Sequence, residues 1–132
     1  MTLELAMNSD ALKNRTKNYA IAIANIVNSL VSNILNRNYS SQIVRCSSSV
    51  GANYSAACRA KSIADFINKL KIVEEELDES MFFLELLAEF NPDHRNVIRE
   101  IHDEGNELLR IIVSSILTVR KNSIAVNLNS KI

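Results

Sequence analysis

An all-α, up-down-up-down four-helix bundle is the fold class this sequence predicts, and three observations predict it. Apolar residues recur at intervals of three and four over long windows. Glycine and proline, two and one in 132 residues, are too scarce for the many turns of a β-sandwich or barrel. Hydrophobic residues make up 47%, enough for a packed interior and too many for a disordered chain. The length suits one domain, since two would leave neither half a proper core. Residues 1–120 are read as one bundle and residues 121–132, KNSIAVNLNSKI, as a loose extension.

The first helix is expected over about 10–36. Leu12, Tyr19, Ile23, Ile26 and Leu30 step by four and three, with Thr16 filling a gap, and Ala20, Ala24, Val27, Val31 and Ile34 form a second stripe. The polar run Asn36 to Ser40 reads as a loop. The second helix, about 41–60, has Ile43, Cys46, Val50, Tyr54 and Ala57 on its apolar face. Ser48, Ala52, Ala56 and Ala60 make a smooth ridge at i+4 spacing, which lets helix axes approach closely. The third, about 62–90, opens with Ser62 and Asp65 in near-capping-box spacing. Its heptad row is Ile63, Leu70, Leu77 and Leu84, and Ser80 is the polar member of the companion row Phe66, Val73 and Leu87. The fourth, about 92–119, has Asn91 as its expected cap and Pro92 at its first position. Val97, Ile101, Leu108, Ile111 and Ile112 carry its seam, which Glu104 and Gly105 interrupt.

Fifteen basic and fifteen acidic side chains cancel, so no overall charge draws the chain to nucleic acid or membrane. The distribution is uneven. Residues 1–71 carry nine Lys/Arg against three acids, and residues 72–132 carry six against twelve. No apolar stretch reaches the ~18 residues of a membrane span, and the start has no cleavable signal pattern, so a cytoplasmic protein is expected. Five per cent aromatic residues without tryptophan argue against a base-stacking platform. Cys46 and Cys58 on one helix would lie about 18 Å apart, too far for a bridge, and read as packing thiols.

The residue pattern argues against an enzyme. His94 and His102 follow Asn91 and Arg99 by three residues, so the Glu-x-x-His pairs of a di-metal bundle are missing. Ser47 to Ser49 have no specified base, and the acids from Glu74 to Glu79 lack a calcium loop. No catalytic residue, metal, cofactor or small-molecule substrate is expected.

The stretch from Gln42 to Phe90 reads QIVRCSSSVGANYSAACRAKSIADFINKLKIVEEELDESMFFLELLAEF. Its run SSSVGANY, then ACRAKS, ADF-I-x-K-L, EEE-x-DES and LELL, resembles the four-helix bundle proteins of the ribosomal RNA intervening-sequence family. The accessory variability protein of diversity-generating retroelements is a relative. The likeness is close over these residues and looser over LKNRTKNYA and EGNELLRIIVSSI. It implies a homo-oligomeric ring, commonly a pentamer, and partners of the nucleic-acid world: RNA, DNA or a reverse transcriptase. This chain departs from the strongly basic retroelement branch in having no net charge, and it has Ala56 where many members carry Glu and Phe83 where many carry Trp.

Two residue sets follow. Arg45, Arg59, Lys61, Lys69 and Lys71, with Lys13, Arg15 and Lys17 on the first helix, form a candidate nucleic-acid or partner surface, multiplied if the chain forms a ring. The competing reading pairs them with the acids of helix three across a subunit boundary. Ser48, Gly51, Ala52, Asn53, Tyr54 and Ala56 are the candidate helix-packing and oligomer contacts, with Asn53 a candidate buried register residue. The expected function is a non-catalytic assembly that binds nucleic acid or a nucleic-acid enzyme. The alternative is a structural or protein-interaction scaffold with no nucleic-acid role.

Overall fold

A computed structural model describes residues 3–130, with side-chain surroundings for residues 9–125. Helices α1 (Leu3–Ser29), α2 (Ile34–Cys58), α3 (Ile63–Phe90) and α4 (Arg95–Ser130) follow in order, and a 3-10 turn, Pro92–His94, leads into α4. α2 packs on α3, α3 on α4 and α1 on α2, while α1 closes more lightly against α4. This cyclic order of antiparallel neighbours is the four-helix bundle.

The seams are the core. Leu12, Tyr19, Ile23 and Ile26 are buried on α1, and Ile43, Cys46, Val50, Tyr54 and Ala57 on α2. Leu70, Val73, Leu77, Leu84 and Leu87 are buried on α3, and Ile98, Ile101, Leu108, Ile112 and Ile116 on α4. Each large aliphatic removed from water contributes roughly 1.5–3 kcal/mol. Ile63 and Val97 fall on the expected seams but are about half exposed, because both sit in the first turn of a helix at an open end of the bundle.

One level of the core is polar. Ser80 donates its hydroxyl to the Leu77 carbonyl, 2.8 Å away, which leaves its oxygen free to accept from the Tyr19 hydroxyl at 2.7 Å. Gly105 of α4 sits against the same tyrosine. A Cβ there would lie 2.9 Å from the Tyr19 hydroxyl and 3.1 Å from Met81 Cγ. The polar member of the α3 row and the interruption in the α4 seam thus serve one purpose: they make room for a tyrosine.

The first helical boundary differs from expectation. The break falls at residues 30–33, and Asn36 to Ser40 are the first turns of α2. Asn33 caps α2, its side chain accepting from the Asn36 amide at 2.8 Å. Val31, in the turn, and Ile34, the first residue of α2, are 71% and 68% exposed rather than buried on the expected core stripe. Asn36 is buried instead. Its Nδ2 donates to the Val31 carbonyl and to Asn91 Oδ1, and Asn91 Nδ2 donates back to Asn36 Oδ1 and to the Leu87 carbonyl. Asn91 therefore makes no side-chain cap at the following 3-10 turn. Its amide is spent on the pair. Ser62 caps α3 as its spacing predicts, accepting from the Asp65 amide at 3.0 Å.

The loose tail is also corrected. Helix α4 continues unbroken to Ser130, and the last two tail residues lie outside the described ones. Between Gly105 and Ser130 the sequence holds no glycine or proline to stop a helix. α1 likewise begins at Leu3, ahead of the expected start at Asp10.

Candidate nucleic-acid and self-association surfaces

The two expected basic and acidic halves meet partly within one chain. Arg45 Nη2 lies 2.7 Å from Glu79 and its Nη1 3.4 Å from Glu76, so this guanidinium ties α2 to α3. Its pKa is raised by those carboxylates, the hydrogen bond to Glu79 foremost. Lys69 pairs with Asp65 one turn back at 2.7 Å, and Arg15 pairs with Glu104 and Glu107 across α1 and α4. Arg45 and Lys69 are thus paired with acids of the same chain.

Lys13, Lys17, Arg59, Lys61 and Lys71 have no carboxylate within 4 Å among the described residues. Arg59 is the C-cap of α2 and Lys61 lies in the turn before α3, both exposed. Lys13 and Lys17, one helical turn apart, edge a slot of about 400 Å³ between α1 and α2. Asn14, Ser48, Gly51, Ala52 and Ser55 complete its walls, which contain no acid. Exposed acids such as Glu75, Asp78, Glu89, Glu100 and Asp103 lie on α3 and α4.

The small-residue set divides three ways. Gly51 faces Thr16 at the α1–α2 crossing, where a Cβ would sit 3.6 Å from Thr16 Oγ1. Tyr54 is core, 6% exposed. Asn53 is not the buried register residue: it is half-buried, and its amide is satisfied by the Ser49 carbonyl and hydroxyl of its own helix. The register role belongs to Asn36 and Asn91, which the sequence reading placed in a loop and at a cap. Ala56 is half-buried, and Ser48 and Ala52 are exposed. Ser48 and Ala52 lie in the slot edged by Lys13 and Lys17, and Val44 on α2 and Ile21 and Ala24 on α1 are exposed as well.

Sequence reasoning missed the end of the bundle. A groove of about 790 Å³ opens where the ends of α2 and α3 meet α1 and α4. Leu12, Tyr54, Ala57, Cys58, Phe66 and Ile111 give it an apolar floor, with Arg15 and Lys61 in its lining. Burial raises the Tyr54 hydroxyl pKa, and the neighbouring Cys58 adds to the shift. Cys58 is half-buried and Cys46 fully buried, both free thiols. Burial pushes the Cys46 thiol up to about 11. Aromatic residues gather at the other end: Tyr39 stacks near Phe90 and meets Phe83, and Phe82 and Phe90 are 56% and 50% exposed. Among the described residues no cluster of His, Cys, Asp and Glu is arranged to hold a metal ion, and no helix is long and apolar enough to cross a membrane.

An antiparallel four-helix bundle with a polar level in its core defines the class. The model of the 23S rRNA-intervening sequence protein family matches residues 11–114, from α1 into α4, and the chain belongs to that family. Among solved structures it is similar to a protein of unknown function from the S23 ribosomal protein family of Bacteroides thetaiotaomicron. The two share 33% identity over 80% of this chain and 97% of that one, with a TM-score of 0.71. No curated protein matches.

Proposed function

We propose that this chain is a non-catalytic, cytoplasmic homo-oligomer that binds nucleic acid through its unpaired cations. The observation that carries the reading is the sorting of charge. Where cations meet acids closely, Arg15 and Arg45 tie helices together and Lys69 pairs within α3. Among the described residues Lys13, Lys17, Arg59 and Lys61 have no carboxylate partner and lie on α1, at the end of α2 and in the turn that follows, while Lys71 on α3 and Arg99 and Arg110 on α4 are unpaired as well. The family's name, 23S rRNA-intervening sequence protein, and the chain's similarity to a protein of the S23 ribosomal protein family support an RNA partner. One copy offers few cations, so useful affinity requires repetition. The exposed uncharged residues Ile21, Ala24 and Val44 are the surface that supplies it, because interface cores are depleted of charge. A closed ring such as a pentamer follows if that face meets a different surface on the next copy.

The test combines light-scattering mass with binding of a fluorescent RNA across a salt series. A mass several times 14.8 kDa is expected. So is binding that falls steeply between about 50 and 200 mM salt. Double reversal Arg59→Glu with Lys61→Glu should abolish binding and leave the mass unchanged. Binding indifferent to salt, or to that reversal, sinks the reading. If the reversal instead dissociates the oligomer, those residues are interface partners. A protein-binding scaffold is the second reading, favoured by exposed Phe90 beside Tyr39 and exposed Phe82 beside Phe83. A stable ring that ignores RNA would select it.

A further inference from the structure

The groove of about 790 Å³ at one end of the bundle is not explained by nucleic-acid binding. It is elongated. Its α4 wall runs from Ile111 to Asn122, about 16 Å at a rise of 1.5 Å per residue. It opens where α1 closes only lightly against α4, and small side chains line that gap: Ala11 on α1, and Ser114, Ser115 and Thr118 on α4. Leu12, Tyr54, Phe66 and Ile111 make the floor apolar. A cleft of about 300–1,000 Å³, mostly apolar with a few polar groups, is the usual form of a small-molecule site.

The charge of the lining has one sign. Arg15 and Lys61 belong to it, and no carboxylate does. The two cations are not equivalent. Arg15 is already neutralised by Glu104 and Glu107. Lys61 has no carboxylate within 4 Å among the described residues. Beside it, Ser62 accepts from the Asp65 amide, which leaves its hydroxyl proton to donate. Two acids lie nearby. Asp65 is held by Lys69 at 2.7 Å, and Asp10, whose charge reaches Tyr54, is exposed and outside the lining.

We propose that this groove binds one long-chain carboxylate anion, a free fatty acid, with its head at Lys61 and Ser62 and its chain laid over Phe66 and Tyr54 toward Ile111. The lining selects that chemistry. The carboxylate gives the free ammonium a charge-assisted hydrogen bond and takes the Ser62 proton. The chain lies along the floor and leaves water. A cation-headed amphiphile would set like charge against Lys61, and a neutral one would leave the ammonium unpaired. A nucleic-acid phosphate has no apolar body for the floor, so this ligand differs from the partner proposed above.

The native thiol in the groove reports occupancy. Cys58 lines it and is half-buried, whereas Cys46 is buried. The full-length protein is treated with N-ethylmaleimide and the adducts are read by mass spectrometry. Dodecanoate, below its micellar concentration and at about ten times its Kd, should slow Cys58 alkylation about tenfold. Dodecyltrimethylammonium, with the same chain and the opposite charge, should leave the rate unchanged. Calorimetry should give one dodecanoate per chain, lost in Lys61→Glu, an exposed turn position. No dodecanoate binding, equal protection by both amphiphiles, or binding that survives Lys61→Glu overturns the proposal. So does alkylation of Cys46 with dodecanoate present, which would mark a denaturing detergent rather than a ligand. No RNA enters the experiment, so its outcome is separate from that of the nucleic-acid reading.

Discussion

Replacing Gly105 with alanine probes the polar level of the core. The added Cβ falls 2.9 Å from the Tyr19 hydroxyl and 3.1 Å from both Met81 Cγ and Tyr19 Cε1. Met81 is flexible and can give way. Tyr19 cannot do so easily: it is 2% exposed and its hydroxyl is held by Ser80. Helix propensity favours alanine by up to about 1 kcal/mol. Against that gain stand overpacking, about 1–3 kcal/mol, and a weakened buried hydrogen bond, about 1 kcal/mol. The balance is a loss of about 1–3 kcal/mol. Gly51→Ala is the control, because its Cβ meets nothing nearer than 3.6 Å. Propensity should prevail there, and the variant should gain up to about 1 kcal/mol. Urea unfolding followed by helical circular dichroism, at one protomer concentration, measures both. A Gly105→Ala protein as stable as the parent would refute the packing argument, whatever the control does.

The direction of the Tyr19–Ser80 bond yields an asymmetry. Ser80→Ala strands a buried tyrosine hydroxyl and should cost about 1–3 kcal/mol, while Tyr19→Phe leaves Ser80 its bond to Leu77 and should cost about 1 kcal/mol. Equal losses in urea unfolding, or the reverse order, would show that the donor was wrongly assigned. Alkaline pH should also destabilise the bundle. Burial raises Cys46 from 9.0 to about 11 and Tyr19 from 10.0 to about 12. The folded state therefore keeps protons that the unfolded chain releases. Stability is whole below about pH 9 and falls as pH climbs toward the folded values, by up to about 1.4 kcal/mol per pH unit for each group. A urea midpoint that is flat or rising between pH 8.5 and 10.5 would contradict this.

The helix count and the core were legible because 3.6-residue periodicity reports burial directly. Leu70, Leu77 and Leu84 show it best, each buried as its heptad position requires. The first turn was misplaced for an equally physical reason. Val31 and Ile34 continue the apolar spacing of α1, and Asn36 to Ser40 carry the composition of a loop. Only the distant partner Asn91 explains why an asparagine belongs inside, and no local pattern encodes a contact 55 residues away. The basic surface was half legible. Arg45 stands out in the sequence, yet whether it is spent on Glu76 and Glu79 depends on how α2 and α3 are rotated against each other. The end groove was not legible at all, since residues from all four helices build it.

The asparagine pair has a consequence for how these helices are allowed to move. Four hydrogen bonds run through two primary amides, joining the start of α2 to the end of α3 and reaching the Val31 and Leu87 carbonyls on either side. Hydrophobic seams tolerate small slips, because one leucine can replace another against a neighbouring ridge at modest loss. Paired amides do not. Sliding α2 by one residue moves the amide 1.5 Å along the axis and turns it by about 100°, which breaks the reciprocal bonds together and leaves buried donors without acceptors. The α2–α3 contact is therefore all-or-none in register. Whatever surface a second copy or a nucleic acid meets, α2 and α3 present it at one fixed offset rather than over a range of sliding positions.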